Sequence, residues 1–337
     1  MKTIKRTKEF ITNYETLYRA WVEVRKGKTF TSKVLEYESN LVVNLVNLQS
    51  RLIDGTYKPK GYKVFSIYEP KERIIKAPYL EDRIVHHALL LAVGKTLDRR
   101  MVENSYACRI GKGTHKASEK LQSNLIAYKN KGYCLKIDIK KYFYNINHEV
   151  LFSILKKHIK CSFALNLFKM FFDAEGKGIP LGNVTSQLLA NLYLNELDHF
   201  AKRKLKVKHY NRYMDDILIL HHNKSVLNNY LARMELFIEN LGVETNSKTK
   251  ISQIRESVDY VGYRTLYNRK IIRKSSLFRI KRKLKKEATL QRVSSFLSHS
   301  KDTASLNYVV DIIKYVSNPE TTKFINKWVR RNTNENF

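Results

Sequence analysis

The spacing of hydrophobic residues predicts helices at both ends of the chain and a mixed region between them. Residues 9–54 carry apolar side chains at helical intervals, and Asp54-Gly55 is expected to end this helical region. The stretch 57–77 alternates apolar and polar positions around a polar break at residues 69–72, which predicts a β-hairpin. Beyond Ser275 the chain is basic and again helical in pattern.

The middle of the chain mixes helical and strand patterns, which predicts an α+β fold. Short apolar runs predict strands at 134–139, on both sides of Asp215-Asp216, near 250–251 and at 260–263. Helical periodicity covers 79–97, 115–130, 148–158, 163–172, 184–204 and 225–240.

The most informative stretch is 210–220, where the adjacent carboxylates of Asp215 and Asp216 separate two runs of strand-forming residues. This pattern predicts a hairpin with the carboxylate pair at its turn. Two carboxylates held close together repel unless a cation lies between them. Mg²⁺ prefers a few carboxylates together with phosphate oxygens and water. For an Asp-Asp pair taken alone, a solvated turn is the alternative.

Asp138 offers a third carboxylate near the end of the predicted strand 134–139. Three carboxylates from two strands of one sheet can hold two Mg²⁺ ions, one activating a 3′-hydroxyl and the other holding a triphosphate. An isolated aspartate after a strand is usually a turn or cap residue. Together with Asp215 and Asp216, it predicts a nucleotidyl-transfer site, in which Mn²⁺ could substitute for Mg²⁺.

The overall charge indicates a polyanionic partner. Lys and Arg number 63 against 31 Asp and Glu, which gives a formal charge of +32 and a pI of about 9.9. The 21 Tyr and 15 Phe could provide stacking platforms for bases. No apolar run approaches the ~20 residues of a spanning helix, so no membrane association is expected.

The location is expected to be cytoplasmic. Met1–Lys8 is basic but lacks the apolar core of a signal peptide. The cysteines Cys108, Cys134 and Cys161 are far apart and form neither a zinc-type pair nor a disulfide framework, which fits a reducing compartment.

Two motifs resemble those of reverse transcriptases. Residues 213–216, Tyr-Met-Asp-Asp, resemble the active-site motif of these enzymes, and residues 135–143 resemble the motif that supplies the first aspartate. Five residues beyond that aspartate, these enzymes place a bulky aromatic that blocks a ribose 2′-hydroxyl. Phe143 occupies this place, which implies selection of deoxynucleotides; core packing is a second, compatible role.

A third motif narrows the resemblance. Residues 178–187 resemble the glycine loop and helix that pack under the nascent base pair. Most reverse transcriptases have Gln before the second glycine and end the motif in Ser-Pro, whereas this chain has Leu181 and Ser186-Gln187. This variant resembles the reverse transcriptases of diversity-generating retroelements. The resemblance covers about residues 60–285, and further stretches that agree with it are 68–73, 82–89, 105–109, 112–115 and 273–276.

The resemblance implies a set of site residues. Lys248 would be a general acid toward the leaving pyrophosphate, whereas His86 and His87 are expected to serve helix packing or backbone contacts. Cations at the fingers hairpin would bind the triphosphate; for a lone Arg in a basic chain, a solvated charge is the alternative. The metal set is Asp138, Ile139, Asp215 and Asp216; the dNTP-binding set is Lys71, Arg73, Ile139, Phe143, Leu181, Gly182 and Gln187. The primer- and template-binding set is Arg83, Tyr213, Met214, Tyr260, Gly262, Lys274, Arg279 and Arg282.

The implied fold is a right hand with fingers, palm and thumb. The expected regions are an N-terminal helical region at 1–56, fingers at 57–132, a palm at 133–265 with a helical insertion around 148–180, and a basic helical thumb at 266–337. The thumb helix is expected to follow the phosphate backbone of the duplex, because only Glu287 offsets its many cations.

The implied function is that of an RNA-directed DNA polymerase which copies a template-repeat RNA into cDNA with errors opposite adenine. Its partners would be the cDNA/RNA duplex, dNTPs and a basic pentameric accessory variability protein. One alternative is a retron, group II intron or phage-defence reverse transcriptase; another is a non-catalytic RNA-binding protein on the same fold. A nuclease with the same two-metal chemistry would explain neither Phe143 nor the glycine loop.

Overall fold

A computed structural model describes residues 4–68, 72–129, 131–172, 176–255, 257–317 and 319–332. The strands are β1 (Tyr62–Ile67), β2 (Arg73–Pro78), β3 (Tyr133–Ile137), β4 (His209–Tyr213), β5 (Asp216–His221), β6 (Lys250–Gln253), β7 (Val258–Tyr260), β8 (Tyr263–Thr265) and β9 (Lys270–Ile272). The helices are α1 (Lys8–Thr12), α2 (Tyr14–Arg25), α3 (Ser32–Ser39), α4 (Leu41–Ile53), α5 (Leu80–Leu89), α6 (Lys95–Asp98), α7 (Thr114–Ile126), α8 (Tyr142–Asn145), α9 (His148–His158), α10 (Ser162–Met170), α11 (Val184–His199), α12 (Lys224–Asn240), α13 (Lys274–Lys286), α14 (Leu290–Ser300), α15 (Leu306–Val316) and α16 (Pro319–Asn332). Two π-helical stretches, Leu90–Gly94 and Phe200–Lys204, extend α5 and α11.

The N-terminal region is helical, as predicted, but it consists of four helices rather than one continuous stretch. Asn13 adopts an extended conformation and its side chain accepts a hydrogen bond from the backbone N–H of Glu15, so α2 begins with its own cap. Gly27, at φ +68°, follows α2 in a turn. Trp21 and Leu17 of α2 are fully buried in the main core.

The predicted fingers hairpin is present. Strands β1 and β2 pair antiparallel from Tyr62 opposite Pro78 to Ile67 opposite Arg73. Residues 69–71, which include the predicted triphosphate ligand Lys71, lie outside the described residues. The backbone N–H of Lys76 on β2 donates to the carbonyl of Leu181 at 2.7 Å, which attaches the hairpin to the glycine loop.

The palm is an antiparallel sheet in the order β4-β5-β3-β6. Its central strands pair from Tyr133 opposite His221 to Ile137 opposite Ile217. The side chains of β3 and β5 contribute to two hydrophobic clusters, and α11 contributes buried residues to the larger one. This arrangement brings the end of β3 and the β4–β5 turn to the same edge of the sheet.

The last part of the chain has its own core. Strands β7, β8 and β9 form an antiparallel sheet, and Tyr263 and Ile272 pack with α13 to α16 in a separate hydrophobic cluster. The expected palm–thumb boundary between residues 265 and 266 lies between the paired strands β8 and β9. The sequence pattern did not predict β9, whose strand is only three residues long.

Two further observations concern membrane-spanning helices and the cysteines. Within the described ranges, no helix is both long and apolar enough to cross a membrane. Cys108, Cys134 and Cys161 are all free thiols.

Candidate active site

The Asp-Asp pair lies at a tight turn, as predicted. Tyr213 at the end of β4 pairs with Asp216 at the start of β5, so Met214 and Asp215 alone form the connection. Met214 has φ +56°, a backbone conformation that residues other than glycine rarely adopt. Because such a conformation is unfavourable by itself, the surrounding structure must hold the turn in place.

A buried ion pair holds this turn. The side chain of Arg212 has no solvent exposure, and its Nε and Nη2 each lie 2.7 Å from a carboxylate oxygen of Asp198 on α11. Its Nη1 donates to the carbonyl of Met214 at 3.0 Å. Tyr210 adds a hydrogen bond from its hydroxyl to Asp198 at 2.6 Å. The guanidinium therefore connects the core helix to the strained residue of the turn.

Asp138 lies beside the turn because of the strand register. Ile137 is paired with Ile217, so Asp138 and Asp216 are the next residues toward the same edge. The carbonyl of Asp138 accepts a hydrogen bond from the N–H of Asn246 at 2.6 Å, and its N–H donates to the hydroxyl of Thr249 at 3.3 Å. The loop before β6 thus fixes the backbone of Asp138.

The carboxylates interact electrostatically. Burial, together with the charges of Asp216 and Asp138, raises the pKa of Asp215 to about 6, while the cation of Arg73 on β2 opposes the shift. Asp216 also forms an ion pair with Lys136 of β3, with Nζ 3.0 Å from the carboxylate. The predicted triad and Arg73 are therefore brought to one place, where negative charge is incompletely compensated.

The donor chemistry of this place fits a divalent cation. A desolvated carboxylate beside two others is stabilised most directly by a metal ion. Among the described residues, no three His, Cys, Asp or Glu side chains lie close enough together to hold a metal as they stand. Lys136 is the cation that contacts Asp216 in this arrangement. Ile139, the fourth member of the predicted metal set, forms a β-bridge with Thr245 and is buried.

The glycine loop lies between the fingers and the palm. Gly182 has φ +132°, and a Cβ there would lie 2.4 Å from the carbonyl oxygen of Lys76. A glycine is required here because the loop backbone closely approaches strand β2. The N–H of Ile179 donates to the carbonyl of Phe143 at 2.8 Å, and this joins the loop to α8. Leu181 and the side chain of Phe143 are half-buried beside this contact.

Gln187 lies near the start of α11, and His86 and His87 lie on α5. Gln187 is exposed in the first turn of α11. His86 is fully buried, and its Nδ1 lies 2.7 Å from the hydroxyl of Thr185, so it connects α5 to α11 as expected for helix packing. His87 is half-buried on α5.

The other predicted contact residues are spread over the molecule. Lys248 is exposed in the loop that holds Asp138, and the Nε of Arg83 donates to the carbonyl of Pro78 at 2.8 Å. The side chain of Tyr260 is fully buried, and its hydroxyl has no partner among the described residues. The Tyr260 ring therefore lies in the interior rather than on a surface that nucleic acid could reach. Gly262 lies at the β7–β8 turn, against the imidazole of His299.

The basic helix of the predicted thumb is α13. Ile280 and Leu284 are its buried side chains, so its cations lie on the remaining faces. Lys274 and Arg282 are exposed and Arg279 is half-buried. The basic helix expected from the sequence is thus α13, in which seven of 13 residues are Lys or Arg. Its contacts with nucleic acid stay a prediction.

Sequence reasoning missed the residues that support the turn. Arg212 lies in a strand of polar and aromatic residues, and Asp198 lies near the end of a long helix; both elements are largely buried. A charged residue inside each of two buried elements is a signal for a buried ion pair. The sequence alone does not show which partner each of them has.

The palm sheet with its carboxylate edge, the fingers hairpin and the C-terminal helices define a protein of the right-hand polymerase class. Residues 59–265 match the sequence profile of the family described as reverse transcriptase (RNA-dependent DNA polymerase). The chain belongs to this family.

Curated relatives cover part of the chain. Protein YkfC of Escherichia coli strain K12 is 28% identical over 183 residues, which are 50% of this chain and 48% of that protein. The group II intron-encoded protein LtrA of Lactococcus lactis subsp. cremoris is 27% identical over 170 residues, 47% of this chain and 28% of LtrA. The chain thus matches less than half the length of these relatives.

Solved structures confirm the predicted α+β right-hand fold. Telomerase from Candida albicans, solved with a fragment of telomeric RNA, is 15% identical with a TM-score of 0.50, over 88% of this chain and 58% of that chain. Telomerase from Candida tropicalis, also solved with such a fragment, is 13% identical with a TM-score of 0.51, over 85% and 57% of the two chains. At this identity the likeness concerns the fold alone.

Proposed function

We propose that the protein is an RNA-directed DNA polymerase that extends a primer by nucleotidyl transfer. The observation that carries this proposal is the convergence of Asp138 and the Asp215-Asp216 turn at one edge of the sheet, with Arg73 of the fingers hairpin acting on the charge of Asp215. Membership of the reverse transcriptase family supports it. A triphosphate between the carboxylate edge and Arg73 would be held from both sides.

Asp138, Asp215 and Asp216 would hold Mg²⁺ at this edge, with the carbonyl of Ile139 as an additional ligand. When bound, Mg²⁺ lowers the pKa of the primer 3′-hydroxyl and neutralises charge on the triphosphate. The Lys136 ammonium would leave Asp216 or shift along it, because it occupies the same carboxylate. Mn²⁺ has similar ligand preferences and would substitute.

The nucleotide would lie between the fingers hairpin and the glycine loop. Arg73, with Lys71, would bind the triphosphate, and Lys248 would donate a proton to the leaving pyrophosphate. Phe143 would exclude a 2′-hydroxyl. Leu181, Gly182 and Gln187 would pack under the nascent base pair.

In the other predicted set, some residues would contact the primer and template and others would support them. Tyr213 directly precedes the carboxylate turn and Met214 is part of it, and Gly262 lies at the β7–β8 turn near the thumb core. Arg83 would support the fingers, and Tyr260 would act by fixing its hairpin from inside the core. Lys274, Arg279 and Arg282 on α13 would follow the phosphate backbone of the duplex.

Primer extension on an RNA template with dNTPs and Mg²⁺ tests this proposal. Asp215→Asn is expected to abolish extension while it leaves RNA binding in place, because the amide cannot replace the charge of the carboxylate. Asp54→Asn is the matched control, because Asp54 lies at an exposed helix end and is far from Asp215 in the sequence. This variant should extend primers normally. A folded wild-type protein that binds RNA but never extends a primer would contradict the proposal and favour a non-catalytic RNA-binding role.

At a finer level, we propose that the polymerase serves a diversity-generating retroelement and copies a template-repeat RNA with errors opposite adenine. The sequence Leu181 with Ser186-Gln187 supports this, because it departs from the Gln and Ser-Pro of most reverse transcriptases. A basic pentameric accessory variability protein would be the partner. The free cysteines fit a cytoplasmic site of action.

The side chain of Leu181 offers a direct test of the finer proposal. Leucine cannot form a hydrogen bond to the nascent pair, so selection at this position would depend on shape alone. Leu181→Gln is expected to lower misincorporation opposite adenine several-fold, as measured by sequencing of the cDNA. Unchanged error rates in a variant that still extends primers would remove the proposed role of Leu181.

A group II intron-type reverse transcriptase is the second candidate. It is favoured by the similarity to the group II intron-encoded protein LtrA. Faithful extension by the wild-type protein, with and without the accessory protein, would favour this candidate. Errors concentrated opposite adenine would favour the retroelement.

A further inference from the structure

A basic surface lies at the end of the palm sheet opposite the carboxylate turn. We call it the far-end surface, and it consists of Lys120, Tyr128, Lys202, Lys208, His209 and His222. Strand β4 begins at His209 and β5 ends at His221, whereas the other ends of both strands meet at the turn. This surface is therefore separated from Asp216 by the length of β5, which is roughly 17 Å at the usual rise per strand residue. It is not part of the candidate active site.

The lysines of the far-end surface come from three elements. Lys120 is exposed on α7, Lys208 is exposed just before β4, and Lys202 lies in the π-helical extension of α11. The Nζ of Lys202 donates to the carbonyls of Val207 at 2.9 Å and Lys208 at 3.3 Å, which fixes its position. In the part of the chain that the structure describes, none of the three lysines is paired with a carboxylate.

These cations are close enough to repel one another. Burial lowers the pKa of Lys202, and the charge of Lys120 lowers it further. Burial also lowers the pKa of His209, and Lys208, Lys120 and Lys202 add to the effect. A group of like charges that forms no ion pair with a carboxylate is stabilised by an external polyanion.

The same surface carries a fixed pair of stacked rings. The ring of Tyr128 is buried, and its hydroxyl donates to the carbonyl of Leu220 at 3.0 Å. A Cβ on Gly132 would lie 3.1 Å from this ring, so the backbone packs tightly against it. The imidazole of His222 stacks on Tyr128 with 4.4 Å between the ring centroids, and His222 is exposed. One face of the His222 imidazole therefore packs on the Tyr128 ring, while the residue remains accessible to solvent.

We infer that the far-end surface binds a single-stranded segment of nucleic acid. The lysines would contact successive phosphates, and a base would stack on His222. Flexible strands are bound in this way, by a cationic track with rings on which unpaired bases stack. A base-paired segment would offer its phosphates but not a free base face, so the ring pair favours the single strand. This inference goes beyond the proposed polymerase activity, because the surface is remote from the catalytic edge.

Binding of labelled oligonucleotides by the full chain tests the inference. The variant Lys120→Gln with Lys208→Gln removes two cations, and His222→Ala removes the stacking ring. Lys33→Gln with Lys169→Gln is the matched control, since these exposed lysines lie on α3 and α10. The probes are oligo(U), oligo(dT) of equal length, a fully paired RNA duplex and poly-glutamate. Fluorescence anisotropy over a range of KCl concentrations gives the affinity and its salt dependence.

The lysine variant is expected to bind oligo(U) about tenfold more weakly, with the slope of log affinity against log salt reduced by about 1.4, as expected for two contacts to a single strand. His222→Ala is expected to weaken oligo(U) binding by about tenfold and duplex binding much less, because only an unpaired base can stack. Primer extension on a short primer-template should be unchanged in both. An equal loss for oligo(dT) would mean that either sugar is accepted, and a loss confined to oligo(U) would identify RNA.

Two results would overturn the inference. One is that the lysine variant and the His222 variant each bind oligo(U) as tightly as the Lys33 and Lys169 control variant does. The other is that the lysine variant loses affinity for oligo(U) and for poly-glutamate equally, while His222→Ala changes neither affinity. That outcome would assign the surface to an acidic protein partner. Urea unfolding of each variant shows whether the fold is retained.

Discussion

Arg212 and Asp198 form a fully buried, two-pronged ion pair directly beneath the carboxylate turn. Its guanidinium also donates to the carbonyl of Met214, the residue with the unfavourable backbone conformation. The pair therefore links the stability of the core to the geometry of the candidate active site. The contribution of this ion pair to stability and its effect on the turn can be separated experimentally.

Asp198→Ala is expected to reduce the free energy of unfolding by about 3–5 kcal/mol, because it leaves a buried guanidinium without its charge partner. Arg212→Met combined with Asp198→Leu should recover most of that loss, since an apolar pair of similar volume leaves no buried charge unpaired. Urea unfolding measures both.

The double variant should nevertheless extend primers about 100-fold more slowly, because the Met214 carbonyl loses its donor and small displacements at a reacting centre have effects of this size. Extension at the wild-type rate would show that the turn holds its conformation without the guanidinium.

Gly182→Ala is expected to be more destabilising than Gly113→Ala. Both glycines have similar positive φ values, +132° and +121°, so the backbone effect of about 1–3 kcal/mol applies to both. Only Gly182 has backbone within 2.4 Å of the added Cβ, whereas the described residues leave open space around Gly113. An additional loss of about 1–3 kcal/mol is expected from this overpacking. Equal unfolding free energies for the two variants would show that the loop can move away from β2.

His86 should make the protein less stable in acid. Burial lowers its pKa to about 3 from an ordinary value of 6.5. The unfolded chain therefore binds a proton below pH 6.5 that the folded chain does not, so stability falls as the pH decreases from about 6.5 toward 3. At pH 5 this one group removes about 2 kcal/mol.

Urea unfolding at pH 7.5 and pH 5 measures this effect, with His86→Gln as the comparison. The Gln variant does not titrate, so its loss between the two pH values should be smaller by about 2 kcal/mol. Parallel pH dependences would show that His86 is protonated in the folded protein.

Phe143→Ala is expected to increase the use of ribonucleotides relative to deoxynucleotides by about tenfold or more, because a smaller side chain leaves room for a 2′-hydroxyl. The backbone of Phe143 should stay in place, since its carbonyl is bound by the N–H of Ile179. Single-nucleotide extension with each substrate measures the ratio.

Tyr142→Phe is the control for this experiment. It removes the hydrogen bond from the Tyr142 hydroxyl to the carbonyl of Ala190 in the core but leaves Phe143 unchanged. It should lower stability without changing the ratio. A changed ratio in this control would attribute selectivity to packing rather than to the Phe143 side chain.

The sequence predicted the parts of the fold that depend on local patterns. The hairpin around Asp215-Asp216 and the strand before Asp138 follow from short apolar runs, and their pairing follows from the resemblance to a known motif. The breaks among the first four helices were missed, because Asn13 and Asn40 do not interrupt the hydrophobic stripe that periodicity detects.

Contacts between distant residues could not be predicted. Thr185 supports His86, and Asp198 supports Arg212, but nothing in the local pattern pairs them. The role expected for Tyr260 also depended on its exposure, which the motif does not reveal and which the packing of the β7–β8 hairpin determines.

The pairing of β3 with β5 also determines when the active site can form during synthesis of the chain. The strands meet from Tyr133–His221 to Ile137–Ile217, although α8 to α11 and β4 intervene between them in the sequence. A ribosome that has released the chain only as far as the glycine loop has delivered Asp138 but none of its partners. The fingers hairpin, whose strands are adjacent in sequence, can close much earlier. Nascent chains can therefore close the fingers hairpin before the three carboxylates of the palm are brought together.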